Sequence, residues 1–214
     1  MPNVSLENKT VCVVDAYGLI YQAYHAPGME MTNSKSEPTG ALFGFVRDVV
    51  TIMTKLSPDY LFCAYDMHAK TFRSDVYPEY KANRPPTPDD LLLQFDFTRE
   101  FLKGVRVPAL GVVGFEADDL MATVARRVRE LGGKTILATS DKDARQLLSD
   151  STTIYLLRKE KFYNAPELMA DWGITPDQVV DFQALVGDSS DNVPGVPLIG
   201  PKVAGELLAK YRTL

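Results

Sequence analysis

The chain has 214 residues, enough for one sizeable α/β domain with a small appended module. Its 45% hydrophobic and 24% charged content is that of an ordinary globular chain, and no apolar stretch reaches the roughly 18 residues a membrane span needs. Twenty-three basic against 28 acidic residues give a net charge of −5, which argues against a simple basic nucleic-acid coat.

Met1-Pro2-Asn3-Val4 carries no signal-peptide pattern, so a cytoplasmic setting is expected. Lys9 to Ala16 is a β-branched run that predicts a first strand ending in Asp15, followed by a helical segment around Leu19 to Ala26. A loop rich in Asn, Ser, Gly and Pro covers Pro27 to Pro38. Apolar residues at helical spacing (Leu42, Phe43, Val46, Val49, Val50, Met53) predict a helix over Thr39 to Lys55, and Tyr60 to Tyr65 reads as a second strand closed by Asp66. Cys12 and Cys63 fall inside these strands and read as buried, reduced core residues. With only His25 and His68 and no Cys-x-x-Cys spacing, a zinc site is not expected.

Regular patterning stops between Met67 and Asp89. A helix start at Thr87-Pro88-Asp89-Asp90 then leads to a helix ending near Lys103. A third strand is expected over Val105 to Val113, an amphipathic helix over Glu116 to Leu131 stopped by Gly132-Gly133, and a fourth strand over Thr135 to Thr139. Asp141 to Leu148 reads as a helix and Thr153 to Leu157 as a strand. After Asn164 the sequence reads as helices only: Pro166 to Trp172, Pro176 to Val186 and Pro201 to Tyr211. This alternation predicts an α/β fold with a mostly parallel, doubly wound sheet, whose ligands bind beyond the carboxyl ends of the strands.

Nine acids fall at those ends or at helix starts: Asp15, Asp66, Glu116, Asp118, Asp119, Asp141, Asp143, Asp188 and Asp191. Acids at helix starts also cap free amides and favour the helix dipole. Capping alone does not call for so many at one sheet edge. Like charges that close repel unless a cation sits among them. Oxygen-only ligands favour Mg²⁺ or Mn²⁺, and this number of carboxylates suits two ions of the kind used in phosphodiester cleavage. Setting the nine aside leaves 19 acids against 23 bases, so the bulk charge does not oppose a nucleic-acid substrate.

The Met67–Asp89 segment combines Lys70, Arg73, Lys81 and Arg84 with Tyr77 and Tyr80, a pairing suited to holding phosphates and stacking on unpaired bases. It is equally describable, on composition, as a solvated loop. Gly195 to Lys202 joins two helices, and the amides at Gly200-Pro201-Lys202 offer a phosphate site at a helix start.

Val13-Val14-Asp15, Ser36-Glu37-Pro38-Thr39-Gly40-Ala41, Lys70-Thr71-Phe72-Arg73, Tyr80-Lys81-Ala82-Asn83-Arg84-Pro85-Pro86, Glu116-Ala117-Asp118-Asp119, Ser140-Asp141-Lys142-Asp143 and Gly187-Asp188-Ser189-Ser190-Asp191-Asn192-Val193-Pro194-Gly195-Val196 occur in that order. In this the chain resembles the 5′-nuclease domain of bacterial DNA polymerase I, within the flap-endonuclease superfamily. The resemblance implies a PIN-like core over residues 1–174 with a helical arch near 67–89, and the start of a helix-hairpin DNA-binding module over 175–214. It implies that Asp15, Asp66, Glu116, Asp118, Asp119, Asp141 and Asp143 are metal ligands or water-mediated contacts, with Asp188 and Asp191 completing a second site. Lys81 and Arg84 would be catalytic cations near the scissile phosphate, alongside Asp119. Lys70, Arg73, Tyr80, Gly195, Gly200 and Lys202 would bind substrate, and a K⁺ ion is a further expectation at the hairpin.

The implied activity is Mg²⁺-dependent, structure-specific 5′-3′ exonuclease and flap-endonuclease cleavage of DNA flaps, nicks and RNA primers in replication and repair. The implied protein is a monomer, fused to or acting with a DNA polymerase. A PIN-type ribonuclease and a weakened DNA-binding fragment are the alternatives. The chain departs from the family at Ala16, where Gly is common, and at Gln22, near where an Arg is usual. It also ends at Leu214, where further helices are expected.

Overall fold

The computed structural model describes residues 5–67 and 69–214. Residues 1–4, read above for a leader, and His68, weighed above as a zinc ligand, lie outside them. Six strands form one sheet: β1 (Thr10–Asp15), β2 (Tyr60–Ala64), β3 (Ala109–Leu110), β4 (Lys134–Ala138), β5 (Thr152–Leu156) and β6 (Lys161–Tyr163). Their order is β3-β2-β1-β4-β5-β6, parallel throughout except for β6, which runs antiparallel to β5.

The central strand, β1, is buried from Val11 to Asp15, as a near-continuous apolar run in a parallel sheet requires. Side chains alternate across a strand, so β1 feeds two cores. Val11 and Val13 join one with Met121, Leu137, Leu168 and Phe182, while Cys12 and Val14 join the other with Leu19, Phe45, Leu91 and Leu102. Cys12 and Cys63 are free and buried, and burial pushes both thiols up out of the reactive range.

Helices cover both faces: α1 (Ala16–Tyr24), α2 (Gly40–Thr51), α3 (Phe72–Val76), α4 (Asp89–Gly104), α5 (Ala117–Glu130), α6 (Ala165–Trp172), α7 (Val179–Val186) and α8 (Pro201–Tyr211). The apolar faces of α1, α2 and α4 build the Cys12/Val14 core, and those of α5 to α8 build the other. A wider π turn, Ile52–Leu56, continues α2 to Ser57, whose left-handed backbone ends it.

Three expectations change. The third strand shrinks to Ala109–Leu110, because Val105 closes the last turn of α4 and Arg106 takes a positive φ of 60°. Pro108 sits at the open edge, where its missing N–H costs no pairing and its carbonyl still accepts from Cys63 at 2.9 Å. In place of a helix over 141–148 there is a single 3₁₀ stretch, Asp143–Leu147, entered through an Asx turn in which the Asp143 amide donates to the Asp141 carboxylate at 2.8 Å. Strand β6 was not expected. Three residues after a tight turn at Glu160 are too few to display a period.

One charge pair, buried at its acid end, ties the layers together. Asp48, inside α2 and 2% exposed, receives both guanidinium nitrogens of Arg158 from the turn after β5. Removing Arg158 leaves the buried Asp48 with only Arg47, 3.6 Å away, to offset its charge. Arg158→Ala is therefore expected to destabilise the chain by about 2 kcal/mol, the range of hydrogen bonds to a charged group, and urea unfolding read by circular dichroism checks it.

Candidate active site

The parallel register delivers the acids to one edge. Asp15 pairs with Ala64 on β2, and Val14 with Ala138 on β4, so the chain leaves all three strands side by side. A cavity of about 250 Å³ opens there, lined by Asp15, Asp66, Glu116, Asp118 and Asp141 together with Lys81 and Arg84. It adjoins one of about 490 Å³ in which Tyr17, Tyr21 and Thr87 face the same Asp66, Lys81 and Glu116.

Each carboxylate is held by its own local structure. Asp15 caps α1, accepting from the Gly18 amide at 2.9 Å, and takes the Thr139 hydroxyl at 2.9 Å on its other oxygen. A Cβ at position 18 would lie 2.3 Å from that carboxylate, so the bend requires Gly18. Asp66 accepts from the Ala117 amide at 2.7 Å, joining β2 to the start of α5. Glu116 caps α5 and is reached by Lys81 at 2.9 Å and the Tyr80 hydroxyl at 3.0 Å.

Asp143, Asp188 and Asp191 form a second group in which one oxygen from each lies within 4.8 Å of the others, close enough to share an ion. Gln183 on α7 donates to Asp143 at 2.6 Å. Lys142 pairs with Asp188 at 2.8 Å and Arg84 with Asp191 at 2.6 Å.

Asp119 stands apart from both groups. It closes the capping box of α5 by accepting from the Glu116 amide at 2.9 Å, and a two-pronged pair with Arg73 occupies its oxygens at 2.8 Å each. It borders an apolar groove with Phe62 and Leu120 rather than the acidic cavity. Lys70 and Lys202 are exposed, and neither makes an ion pair among the described residues. Gly200 stands at the N-cap of α8 with Pro201 in its first turn. Gly195 has a packing duty: its Cβ would sit 2.4 Å from the Val186 carbonyl, and Gly187 opposite it holds a φ of 79°.

A sequence profile of the 5′-3′ exonuclease N-terminal resolvase-like domain matches residues 10–173, and one of the 5′-3′ exonuclease C-terminal SAM fold matches 174–214. The chain belongs to the 5′-3′ exonuclease family. It is 39% identical over 209 residues to DNA polymerase I of Rhizobium leguminosarum, with 94% of this chain aligned to 21% of that one. It is 35% identical to a 5′-3′ exonuclease of Aquifex aeolicus, covering 95% of this chain and 70% of the relative. The chain thus spans about a fifth of the polymerase it matches. Among solved structures, T5 5′-exonuclease with bound zinc superposes with a TM-score of 0.79 at 22% identity, covering 96% of this chain and 76% of that one. A bacteriophage T5 flap endonuclease complexed with DNA and metal ions gives 0.75 at 21% identity, with the same coverage. These likenesses carry the resolvase-like fold.

Several residues of this exonuclease-family site were not singled out from sequence. Lys142 lies between two of the acids and was legible there. Thr139 and Gln183 carry no local signal, since each is placed by tertiary packing. Gln22, by contrast, was singled out in the sequence as a departure from the family, and it bonds its amide to the Ser140 hydroxyl beside Asp141.

The crowding has an electrostatic cost. Burial first, then Asp141, Asp15 and Asp66, push the Asp118 carboxyl up to about 8. Burial raises Asp15 to about 6, against the pull of Gly18 and Thr139, with Asp66 and Asp141 adding to the rise. Burial likewise raises Asp66 and Asp143. In contrast the Arg73 pair holds Asp119 low, and at Asp188 burial is outweighed by the Lys142 and Ser190 hydrogen bonds, leaving it low as well.

An acid whose folded value exceeds its unfolded one binds more protons when folded, so stability falls as pH rises between the two. For Asp118 that window runs from the ordinary 3.8 to about 8. In chelator, the unfolding midpoint should fall from pH 5 to pH 8. Asp118→Asn should raise it at pH 8 by roughly 2–4 °C, the shift that about 1 kcal/mol gives in a chain this size, and should flatten the pH trend. Added Mn²⁺ should raise the wild type more than the variant. Thermal unfolding read by circular dichroism checks all three.

Proposed function

We propose that the chain is a divalent-metal-dependent, structure-specific 5′ nuclease, using Mg²⁺ or Mn²⁺ to cleave phosphodiester bonds of DNA flaps, nicks and RNA primers. The observation that carries this reading is the convergence of two carboxylate groups at one sheet edge, with Asp15, Glu116, Asp188 and Asp191 only 9%, 8%, 7% and 8% exposed. Buried charges of one sign at that density need cations, and the donor set is all oxygen, suited to hard divalent ions.

Asp15, Asp66, Glu116, Asp118 and Asp141 would hold one ion, and Asp143, Asp188 and Asp191 the other. Ions bound there would supply an activated water and neutralise charge on the phosphoryl oxygens. Lys81 and Arg84, which line the same cavity, would orient the scissile phosphate and share in that neutralisation. Tyr80 would stack on an unpaired base beside it. Asp119 fits a supporting part better than a ligand's: it fixes the start of α5 and the position of Arg73.

Residues 1–174 would form the catalytic core and 175–214 a module gripping duplex DNA. The amides of Gly200 and Lys202 at the start of α8, with the exposed Lys202 side chain, suit a backbone phosphate, and a K⁺ ion would sit at this hairpin. A monomer working in the cytoplasm with a fused or separate polymerase completes the reading.

The test is a 5′-flap DNA with labelled ends. Cleavage in Mg²⁺ leaving a 5′-phosphate, its loss in chelator or in Asp143→Ala, and a roughly 10²–10³-fold fall in kcat for Lys81→Ala are expected. Undiminished cutting in chelator would refute the metal mechanism. Equal cutting of unstructured single-stranded RNA would favour a ribonuclease instead.

A further inference from the structure

The segment from Tyr77 to Arg84 does more than line the cavity. It is strapped onto the loop of residues 188–193 that carries two of the second group's acids. The Lys81 amide donates to the Asp191 carbonyl at 2.9 Å, and the Asn83 side chain to the Ser189 carbonyl at 2.7 Å. Tyr77 donates its hydroxyl to the Asn192 carbonyl at 3.0 Å, and the Asn192 side-chain amide donates a hydrogen bond to the Glu79 carbonyl at 2.8 Å. Most of these acceptors are main-chain carbonyls, so the docking is directional and shape-specific rather than a general collapse of cations onto acids. Lys81 and Asn192 both hold left-handed backbone, with φ of 57° and 59°. That conformation is uncommon in a lysine and is kept here by the docking itself.

The strap also occupies part of a carboxylate. Arg84 takes Oδ1 of Asp191 at 2.6 Å while its Nε bonds the Ser190 carbonyl at 3.1 Å. An ion shared by Asp143, Asp188 and Asp191 draws on that same carboxylate and is repelled by the guanidinium beside it. On the reading that this trio is a metal site, we infer that the 77–84 strap and a divalent ion compete for the 188–193 loop, so that ion binding releases the strap. Coupling of this kind is reciprocal: whatever factor the ion takes from strap closure, closure takes from ion affinity. Lys81 and Arg84 would then be withheld from phosphate until the ion arrives, and cation arrival and arch opening would be one event.

Hydrogen-exchange mass spectrometry of the whole chain, titrated with Mn²⁺ alone, tests this. Peptides spanning 77–84 should exchange about tenfold faster or more at saturating Mn²⁺, while peptides from β1 do not speed up. Asn83→Ala removes one strap bond without touching a carboxylate. It should exchange faster in chelator and bind Mn²⁺ roughly three- to tenfold tighter by calorimetry, the factor one hydrogen bond represents. Mn²⁺ binding that leaves 77–84 equally or more protected would overturn the competition, as would equal or weaker binding by the variant, and either result would leave the metal reading intact. Absence of any Mn²⁺ binding by the wild type would overturn both.

Discussion

Concentrated negative charge at one edge of a parallel sheet is the constraint around which this molecule is arranged. Parallel strands all leave the sheet at the same end. The tip of β1 and the first turns of the chain beyond β2 and β4 therefore crowd Asp15, Asp66 and Asp141 together, and the start of α5 adds Glu116 and Asp118. The protein answers this charge with amide and hydroxyl donors to individual oxygens, with cations brought in from 73–84 and from Lys142, and with carboxyls pushed toward the protonated form. Those answers stabilise the chain without using up every carboxylate oxygen.

The two groups of acids are not balanced in the same way. In the first, Asp118 has no cationic partner among the described residues and is surrounded by other acids. In the second, Lys142 and Arg84 already sit on Asp188 and Asp191. The first group's organic cations, Lys81 and the more distant Arg73, both lie on Glu116, one of its five acids, whereas Lys142 and Arg84 of the second sit on two of its three. The two groups therefore differ in how much of their repulsion is already offset, although both are built from carboxylates.

Much of this was legible in the sequence, and the reasons are local. The β-branched run at Val11 to Val14 and the amphipathic pattern of α5 announce themselves within a few residues, and the alternation of elements gives the parallel sheet. Once the sheet is parallel, the acids after its strands must meet. What stayed hidden depends on tertiary placement. Whether Asp119 faces the cavity or Arg73 is decided by the capping geometry of α5. The edge strand β3 and the antiparallel β6 are too short to show a period. The strap contacts join residues more than a hundred positions apart, and no spacing rule reaches that far. The basic segment looked like a loop because its order comes from carbonyls on a distant loop rather than from its own periodicity.

Strand β1 sends Val11 and Val13 to one core and Cys12 and Val14 to the other, with Asp15 at its tip. The foremost carboxylate is thus mounted on a central strand that both halves of the interior grip, as they also grip β2, β4 and β5. Loosening either half moves the same tip, so the seating of Asp15 becomes a gauge of the soundness of the whole interior.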